Sequence, residues 1–393
     1  MKTLLIWECG QDLGHISHLA TIAKVLHDLG SDIFLCVKDE ANIPNVFQSI
    51  PYKLIPFPRL SARINHRPTF SMADVLIRRG MTDEITLSKQ FKKWQAVYQA
   101  VEPDLVVYDF SPTALFSSVG LNFKKVIIDS TWGAAPPGKP FLPLNLWQPM
   151  PEDHLPASEL KLLQTMNSVL ENASRPQLQY VSDIFNADKT LISNYKELDI
   201  YGPQRQDVNY LGPIFFNTSG EAITVGSGKK RIFVYLKEDR KISTLALQSI
   251  VKFPQVEAHF FIPNVSLHLR TSLERLGFSV YSKPIALQRY ISKFDLLLCH
   301  GGTGTIGVSI KAGVPVLVFP TQLEQRNVGE LIARSGAGLA VEDHESIESI
   351  VMKLKALLEE ERFKLSCKEI RRSVPTSNSV NTQIRALLQP LCV

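Results

Sequence analysis

The sequence predicts an α/β protein built from two doubly wound parallel-sheet domains. Short apolar runs, typical of strands covered on both faces, alternate with amphipathic helical patterns in both halves of the chain. At 393 residues the chain is also too long for one ordinary hydrophobic core. A stretch rich in Gly, Pro, Ser and Asn, residues 200–228, interrupts the alternation and predicts the boundary between the domains.

The individual elements follow from these patterns in chain order. The apolar runs of the first half predict strands at 3–8, 32–37, 105–108, 125–128 and 190–193. Those of the second half predict strands at 231–236, 257–262, 279–281, 296–299 and 316–319. Between them, apolar residues at helical spacing predict helices at 15–29, 84–101, 305–312 and 325–335. Near the end, residues 345–365 predict one charged amphipathic helix and residues 378–388 another.

We divide the chain accordingly into four parts. Residues 1–205 form the predicted first domain, 206–228 the linker, and 229–375 the second domain. Residues 376–393 are expected to form a C-terminal helix that packs back on the first domain. Residues 132–156 are rich in proline and contain Trp132 and Trp147, which predicts an irregular but packed loop.

Composition and charge exclude several classes of protein. With 45% hydrophobic and 21% charged residues the chain is globular, and a net charge of +5 without basic–aromatic clusters does not indicate nucleic-acid binding. The five scattered cysteines have no metal-ligand spacing, which favours a reducing compartment. Glu8 interrupts the first apolar run, so we expect a strand and not a signal peptide. No run of about 18 apolar residues occurs, and we expect a cytoplasmic protein without a transmembrane segment.

Residues 295–327 hold the first candidate site. A buried strand leads into His300 and then into the glycine-rich turn Gly301-Gly302-Thr303-Gly304-Thr305 at a helix start. Glycines allow an anion to approach the backbone, and free N–H groups at the positive end of a helix favour phosphate. A glycine-rich turn that binds no ligand is the alternative interpretation of this cluster alone.

The residues that follow make the pattern more specific. Gly313-Val314-Pro315 precedes a second buried strand, and residues 320–327 end with Glu324, Gln325 and Asn327. In order and spacing, the segment from His300 to Asn327 resembles the donor-site signature of nucleotide-sugar glycosyltransferases of the GT-B fold. The resemblance is to the superfamily of UDP-glycosyltransferases and bacterial macrolide and glycopeptide glycosyltransferases. It implies two Rossmann-like domains that face each other across a cleft, with the acceptor bound by the first and the nucleotide sugar by the second.

The resemblance also implies roles for single residues. His300 and the turn Gly301, Gly302, Thr303, Gly304 and Thr305 would bind the donor diphosphate, while Glu324 and Gln325 would bind the sugar hydroxyls. Eight residues after the motif histidine, UDP-sugar users carry a glutamate for the ribose, whereas this chain has Val308 followed by Ser309. This departure favours dTDP over UDP. At residues 234–237 many relatives have a Gly-Ser pair that ends the strand and faces the phosphates; here Lys237 is either a cation for the phosphates or a solvated residue at a strand end.

The second candidate site lies after the first strand. In the resembled families a Gly-His pair at this turn, here Gly14-His15, supplies a general base, and Asp109 stands where those families place the carboxylate that orients it. His18 replaces a common proline; we expect it to pack or to line the acceptor pocket, with a role as alternative base left open. Asp12 is expected to be a loop or capping residue.

The resemblance implies an inverting transfer of a sugar from a nucleoside-diphosphate sugar to an acceptor hydroxyl. We expect no metal, since no Asp-x-Asp pair or His–carboxylate cluster is apparent, and no cofactor beyond the donor as co-substrate. The acceptor would be a small molecule or lipid-linked. The basic stretch 59–79 indicates an anionic acceptor, peripheral contact with a membrane surface, or only a solvated loop. A sugar-nucleotide 2-epimerase and a non-catalytic nucleotide-sugar-binding protein remain the alternatives.

Overall fold

Two parallel sheets form the framework of the protein. The structure is a computed structural model that describes residues 1–10, 13–59, 69–130, 132–147, 152–206, 208–215, 220–226, 229–238, 241–253, 255–283, 285–374 and 379–392. The first sheet has seven strands in the order β3-β2-β1-β4-β5-β6-β7, and all of its pairings are parallel. They span β1 Lys2–Trp7, β2 Asp32–Val37, β3 Lys53–Leu54, β4 Leu105–Asp109, β5 Lys124–Asp129, β6 Lys189–Ile192 and β7 Asn209–Tyr210.

The second sheet has six parallel strands in the order β10-β9-β8-β11-β12-β13. They span β8 Lys230–Tyr235, β9 Val256–Phe261, β10 Ser279–Tyr281, β11 Leu296–Cys299, β12 Val316–Val318 and β13 Gly338–Ala340. In both sheets the strand order reverses once, between β1 and β4 and between β8 and β11. Ligands of doubly wound folds bind outside the carboxyl ends of the strands at such a reversal.

Fourteen α-helices lie within the described residues. The first six are α1 Leu13–Asp28, α2 Ile43–Val46, α3 Met72–Arg78, α4 Glu84–Val101, α5 Pro112–Ser117 and α6 His154–Asn172. The next four are α7 Lys241–Val251, α8 Leu267–Arg275, α9 Leu287–Tyr290 and α10 Thr303–Ala312. The last four are α11 Leu323–Arg334, α12 Ile347–Glu359, α13 Glu361–Arg372 and α14 Val380–Leu388. Short 3-10 helices occur at Val181–Phe185, Lys196–Leu198, Ile291–Lys293 and Gln389–Leu391.

The chain divides into two compact units. The first comprises Met1–Ser193, Ile200–Phe216 and Thr376–Val393, and the second Asn194–Asp199 and Asn217–Pro375. The strands are buried on both faces because helices cover both: in β1, Leu4 and Ile6 lie in one core of the first unit, Leu5 and Trp7 in the other. Helix α14 belongs to the second of these cores, where Ile384 and Leu388 are fully buried beside α1.

The predicted α/β class with two doubly wound sheets is confirmed. All ten predicted strands are present within one residue at either end, because each is a continuous apolar run. The single helix predicted over 345–365 is wrong: the chain leaves the helical conformation at Glu360, so α12 and α13 are separate. The short edge strands β3, β7 and β13 were not predicted, nor were the helices α2, α3, α5, α6, α7, α8 and α9. No helix among the described residues has both the length and the apolar character needed to cross a membrane.

Candidate active site

The candidate site at His15 lies where the strand order of the first sheet reverses. Trp7 at the end of β1 is in register with Asp109 at the end of β4, so the segment after β1 begins beside the Asp109 carboxylate. Helix α1 starts at Leu13, and its first turns carry His15 and His18. A residue of α1 and one of β4 therefore meet at the carboxyl edge of the sheet, although 94 positions separate His15 from Asp109.

His15 and Asp109 form a short hydrogen bond. The His15 Nδ1 atom lies 2.5 Å from Asp109 Oδ1, with the carboxylate fully buried and the imidazole 17% exposed. Burial by itself raises the pKa of Asp109, but the charges of His15 and His18 and their hydrogen bonds outweigh it and hold this pKa below its ordinary value. The carboxylate is therefore ionised at neutral pH and can only accept hydrogen bonds, so the proton lies on Nδ1 of His15, which leaves Nε2 as the nitrogen that can take a proton.

The surroundings fix the position of the His15 ring. The imidazole stacks on the indole of Trp7, with 5.4 Å between ring centroids and 22° between planes. The Phe110 ring lies 6.3 Å away on a residue with φ +39°, a left-handed conformation that costs a non-glycine residue about 1–2 kcal/mol. Such strain directly after Asp109 is consistent with a backbone held in place for function.

His18 contacts the same carboxylate from the next turn of α1. Its Nδ1 atom lies 2.9 Å from Asp109 Oδ2, and its side chain is 5% exposed. The sequence indicated that His18 packs or lines a pocket and left a role as base open. It gave no indication that the two histidines share one carboxylate, because helical spacing alone does not reveal where Asp109 lies.

No His–carboxylate cluster was apparent in the sequence, but the structure brings His15, His18 and Asp109 together as the one group of residue types suited to a metal among the described residues. Direct hydrogen bonds already join their ligand atoms, at 2.5 and 2.9 Å. Two ligands about 2.0–2.1 Å from a tetrahedral zinc ion lie more than about 3 Å apart. In the observed rotamers the three side chains therefore fit shared protons better than a common metal ion.

The candidate site at His300 lies at the strand reversal of the second sheet. Tyr235 at the end of β8 is in register with Cys299 at the end of β11, so Lys237 and His300 follow neighbouring strand ends. The Lys237 backbone N–H donates to His300 Nε2 at 2.9 Å, while His300 Nδ1 lies 2.8 Å from the Phe319 carbonyl oxygen. A carbonyl only accepts, so the ring is the Nδ1–H tautomer and, in this arrangement, offers no N–H to a phosphate. The Lys237 side chain is exposed.

The turn after His300 is open at the start of α10. Gly302 is the N-cap and no side chain caps it, and a Cβ atom built on Gly302 or Gly304 would meet nothing within 4 Å. Gly301 is different: its φ is +103°, and a Cβ there would lie 3.0 Å from the Gln325 carbonyl oxygen. Gly301 thus permits the turn to pack closely against α11, and Gly302 and Gly304 leave space above the N-terminus of α10. Thr303 and Thr305 lie partly buried in the same turn.

Helix α11 brings the acidic part of the signature beside this turn through the contact between Gly301 and Gln325. Gln325 Oε1 accepts from the backbone N–H and the hydroxyl of Thr321 at 2.9 and 2.8 Å, and Glu324 is partly buried. Asn327 is 5% exposed, and both polar atoms of its amide have no hydrogen-bond partner among the described residues. A buried amide without partners is costly in a folded protein, and the sequence analysis did not include Asn327 among the binding residues.

Comparisons with known proteins show what the chain is similar to. Residues 223–377 match the glycosyltransferase family 28 C-terminal domain. A sterol 3-beta-glucosyltransferase of Vanderwaltozyma polyspora is 30% identical over 99 residues, which are 25% of this chain and 8% of that protein. The chain thus aligns with only a small part of this curated relative.

Solved structures match over nearly the whole chain. A spinosyn rhamnosyltransferase in complex with spinosyn aglycone has a TM-score of 0.70 at 14% identity, over 98% of this chain and all of that chain. A glycosyltransferase of Streptomyces sp. SF2575 in complex with thymidine diphosphate has a TM-score of 0.63 at 14% identity, over 99% of each chain. The chain has the GT-B fold of glycosyltransferases. The resemblance inferred from the signature His300 to Asn327 is confirmed.

Within this GT-B chain, the position that departs from the UDP-sugar signature is buried. Val308 lies in α10 and is 6% exposed, and the hydroxyl of Ser309 donates to the Val314 carbonyl oxygen at 2.8 Å. Neither side chain presents a carboxylate, so the bidentate ribose contact of UDP-sugar users has no counterpart at this position.

The basic stretch 59–79 is only partly described. Arg63, Arg67 and Asp12 lie outside the described residues. Residues Met72–Arg78 form helix α3 and not a loop, with a capping box between Ser71 and Asp74. Asp74 Oδ1 also lies 2.8 Å from His154 Nε2 at the start of α6, a second histidine–carboxylate pair that the sequence analysis missed.

Glu8 is a buried acid of this GT-B chain that the sequence analysis used only to place the first strand. It is 2% exposed; Oε2 accepts from the backbone N–H groups of Thr113 and Ala114 at 2.9 and 3.4 Å. Oε1 has no partner among the described residues. Burial, partly opposed by the charge of Arg79 and by the bonds from Thr113 and Ala114, raises the pKa of Glu8.

Proposed function

We propose that this protein is an inverting glycosyltransferase that moves a sugar from a nucleoside-diphosphate sugar to an acceptor hydroxyl. The observation that carries the proposal is the His15–Asp109 pair, 2.5 Å apart at the strand reversal of the first sheet. A base that must take a proton near neutral pH is well served by a neutral imidazole whose partner carboxylate is ionised. The fold and the match of residues 223–377 support the transferase class.

In the proposed reaction His15 Nε2 takes the proton of the acceptor hydroxyl as its oxygen attacks the anomeric carbon. The bond from that carbon to the diphosphate oxygen breaks on the opposite side, and the nucleoside diphosphate leaves with the electron pair. Attack from the side opposite the leaving group inverts the configuration. Asp109 stabilises the imidazolium that forms on His15, because an ionised carboxylate beside it lowers the energy of the charged ring.

The donor side of the proposal rests on the second unit. The uncapped start of α10, with open space above Gly302 and Gly304, suits the diphosphate, because N–H groups at a helix N-terminus favour negative charge. The exposed ammonium of Lys237 is a candidate cation for the same group. We assign Glu324 and Gln325 to the sugar hydroxyls. No metal ion is required if these groups stabilise the leaving diphosphate, and we expect activity to persist in a chelator such as EDTA.

We propose dTDP as the nucleotide. The buried Val308 cannot make the ribose contact of a carboxylate, and thymidine diphosphate is bound to the structurally similar Streptomyces enzyme. The acceptor is proposed to be a small or lipid-linked molecule with a free hydroxyl. The curated relative acts on a sterol and the spinosyn enzyme is bound to an aglycone.

A panel of UDP-, dTDP- and GDP-sugars tests the donor. The Tm of the protein should increase most with dTDP-sugars, since a ligand that binds the native state raises Tm by mass action. A larger increase in Tm with UDP-sugars would refute the nucleotide assignment. The enzyme should then release nucleoside diphosphate slowly without an acceptor. Binding without any release would favour a non-catalytic binding protein, and appearance of the 2-epimer of the sugar would favour an epimerase.

Variants test the base. His15→Ala should lower the rate of nucleoside-diphosphate release by about 10²–10⁴-fold, the range for loss of a general base. His27→Ala is the matched control, because His27 is an exposed residue of the same helix. Equal rates in the two variants would refute the assignment of His15.

A further inference from the structure

Asp109 is held between two imidazoles of one helix. His15 and His18 occupy successive turns of α1, and each places Nδ1 on a different carboxylate oxygen, at 2.5 and 2.9 Å. The Asp109 side chain is fully buried, and the His18 side chain is 5% exposed. Among the described residues, no other group donates a hydrogen bond to this carboxylate.

The arrangement of protons follows from the ionised state of Asp109. Because the charges of both histidines hold the pKa of Asp109 low against the opposing effect of burial, the carboxylate has no proton to donate. Each imidazole must therefore donate its own Nδ1–H. The bond from His18 fixes the second oxygen, and a planar carboxylate with one oxygen fixed has little freedom to turn the other away from His15.

The orientation of the base depends on that second bond. If the bond to Oδ2 were absent, Asp109 could rotate about its side-chain torsion in a buried site where no described residue replaces the donor. The His15 ring would then lose the carboxylate that accepts its Nδ1–H and favours this tautomer. Stacking on Trp7 at 5.4 Å restrains the plane of the ring but does not select which nitrogen carries the proton.

We propose that His18 is a positioning residue, which fixes Asp109 so that Nε2 of His15 is the basic nitrogen and faces the acceptor. This inference rests on the proposed function of His15. It assigns His18 no proton transfer of its own; the hydrogen bond from His18 Nδ1 to Asp109 Oδ2 carries the whole effect. An amide donor at the same place should therefore replace the imidazole, and an apolar side chain of similar size should not.

The test compares His18→Asn with His18→Leu. The amide nitrogen of asparagine takes the place of imidazole Nδ1 and can donate to Asp109. Leucine is similar in volume to histidine and has no donor. We expect kcat near that of the unaltered protein in His18→Asn and a fall of about 10–100-fold in His18→Leu, the range for losing a hydrogen bond to a charged group. KM for the donor should be unchanged in both. His18→Phe keeps a ring but has no donor, so its kcat should match that of His18→Leu. It takes the place of His18→Leu in the comparison if that variant does not fold.

Three outcomes are separable. Equal large losses in His18→Asn and His18→Leu would overturn the proposal and assign the proton transfer to His18. A kcat near that of the unaltered protein in both variants would also overturn the proposal, because His18 would then serve only in packing. Loss in His18→Leu together with rescue in His18→Asn supports it.

A second readout does not depend on activity. In the proton NMR spectrum, the Nδ1–H of His15 should resonate far downfield because of its short bond to Asp109. We expect this resonance to persist in His18→Asn and to move upfield or broaden in His18→Leu; an unchanged resonance in His18→Leu would overturn the proposal. If His15→Ala retained full activity while the resonance still responded to His18, the proposed function would fail and the positioning of Asp109 would stand.

Discussion

Gly10 lies directly against the basic nitrogen of His15: a Cβ atom built on Gly10 would fall 2.0 Å from His15 Nε2. Gly10 also has φ +85°, a conformation that favours glycine. The turn after β1 is therefore shaped around the imidazole, and only a residue without a side chain leaves the ring where Asp109 holds it.

This contact predicts that Gly10→Ala displaces the His15 ring. We expect a loss of nucleoside-diphosphate release approaching that of His15→Ala, about 10²-fold or more, with donor-induced thermal shifts retained because the proposed donor residues lie in the other unit. Gly14→Ala is the matched control, since a Cβ on Gly14 would meet nothing within 4 Å. The prediction fails if the two variants have the same rate.

Asp109→Asn should be more damaging than its small change in size suggests. The carboxylate accepts from both histidines at once, while an amide has one acceptor and turns its NH₂ group toward the other ring. One imidazole must then change tautomer, and we expect kcat to fall by about 10²–10⁴-fold. Steady-state kinetics beside Asp32→Asn, an exposed carboxylate in β2, would measure this; comparable kcat values for the two would contradict the assignment of Asp109.

Glu8→Gln should stabilise the protein at neutral pH. Burial raises the pKa of Glu8 in the folded protein above its value of about 4.3 in the unfolded chain. The protonated Glu8 side chain therefore contributes fully to the free energy of unfolding below about pH 4.3, and this contribution is lost as pH rises through the pKa of the folded state. The glutamine stays neutral, so Tm of the variant should exceed that of the unaltered protein increasingly between about pH 4 and pH 7. A gain of a few degrees is expected, since 1 kcal/mol corresponds to about 2–4 °C in a domain of this size.

Thermal melts across that pH range test the prediction, with Glu40→Gln as control because Glu40 is exposed. If the gain in Tm depended on pH in the same way in both variants, burial of Glu8 would not be the cause of the gain.

Asn327→Leu should separate folding from donor binding. Both polar atoms of the amide are buried without a partner among the described residues, and such groups cost about 1–3 kcal/mol. Leucine has the same branched arrangement of side-chain heavy atoms and no such cost, so we expect an equal or higher Tm. If the amide serves the donor, the thermal shift produced by a dTDP-sugar should shrink in the same variant.

Asn327→Ala provides the comparison, because it removes the amide and leaves a cavity, which lowers Tm. A fall of Tm in Asn327→Leu as large as in Asn327→Ala would argue for a structural role of the amide within the unliganded chain.

Much of the fold could be predicted from local patterns. Strands such as 32–37 and 296–299 are continuous apolar runs, and their ends are fixed by the glycines and charges that follow. The edge strand β13 was missed because Gly338–Ala340 is three residues long and its pairing with β12 is non-local. The break at Glu360 was missed because the residues on both sides continue the amphipathic pattern.

Local sequence was enough to find the donor signature and its mismatch at Val308, because His300 to Asn327 is one continuous segment whose spacing can be read directly. It also indicated His15 and Asp109 by resemblance. Only the tertiary structure decided that His18 shares the Asp109 carboxylate, that Gly10 abuts His15, and that the His300 ring is held by Lys237 and Phe319. The physical reason is that these contacts join residues from different strands and helices, and the strand order that brings them together is set by packing of the whole sheet.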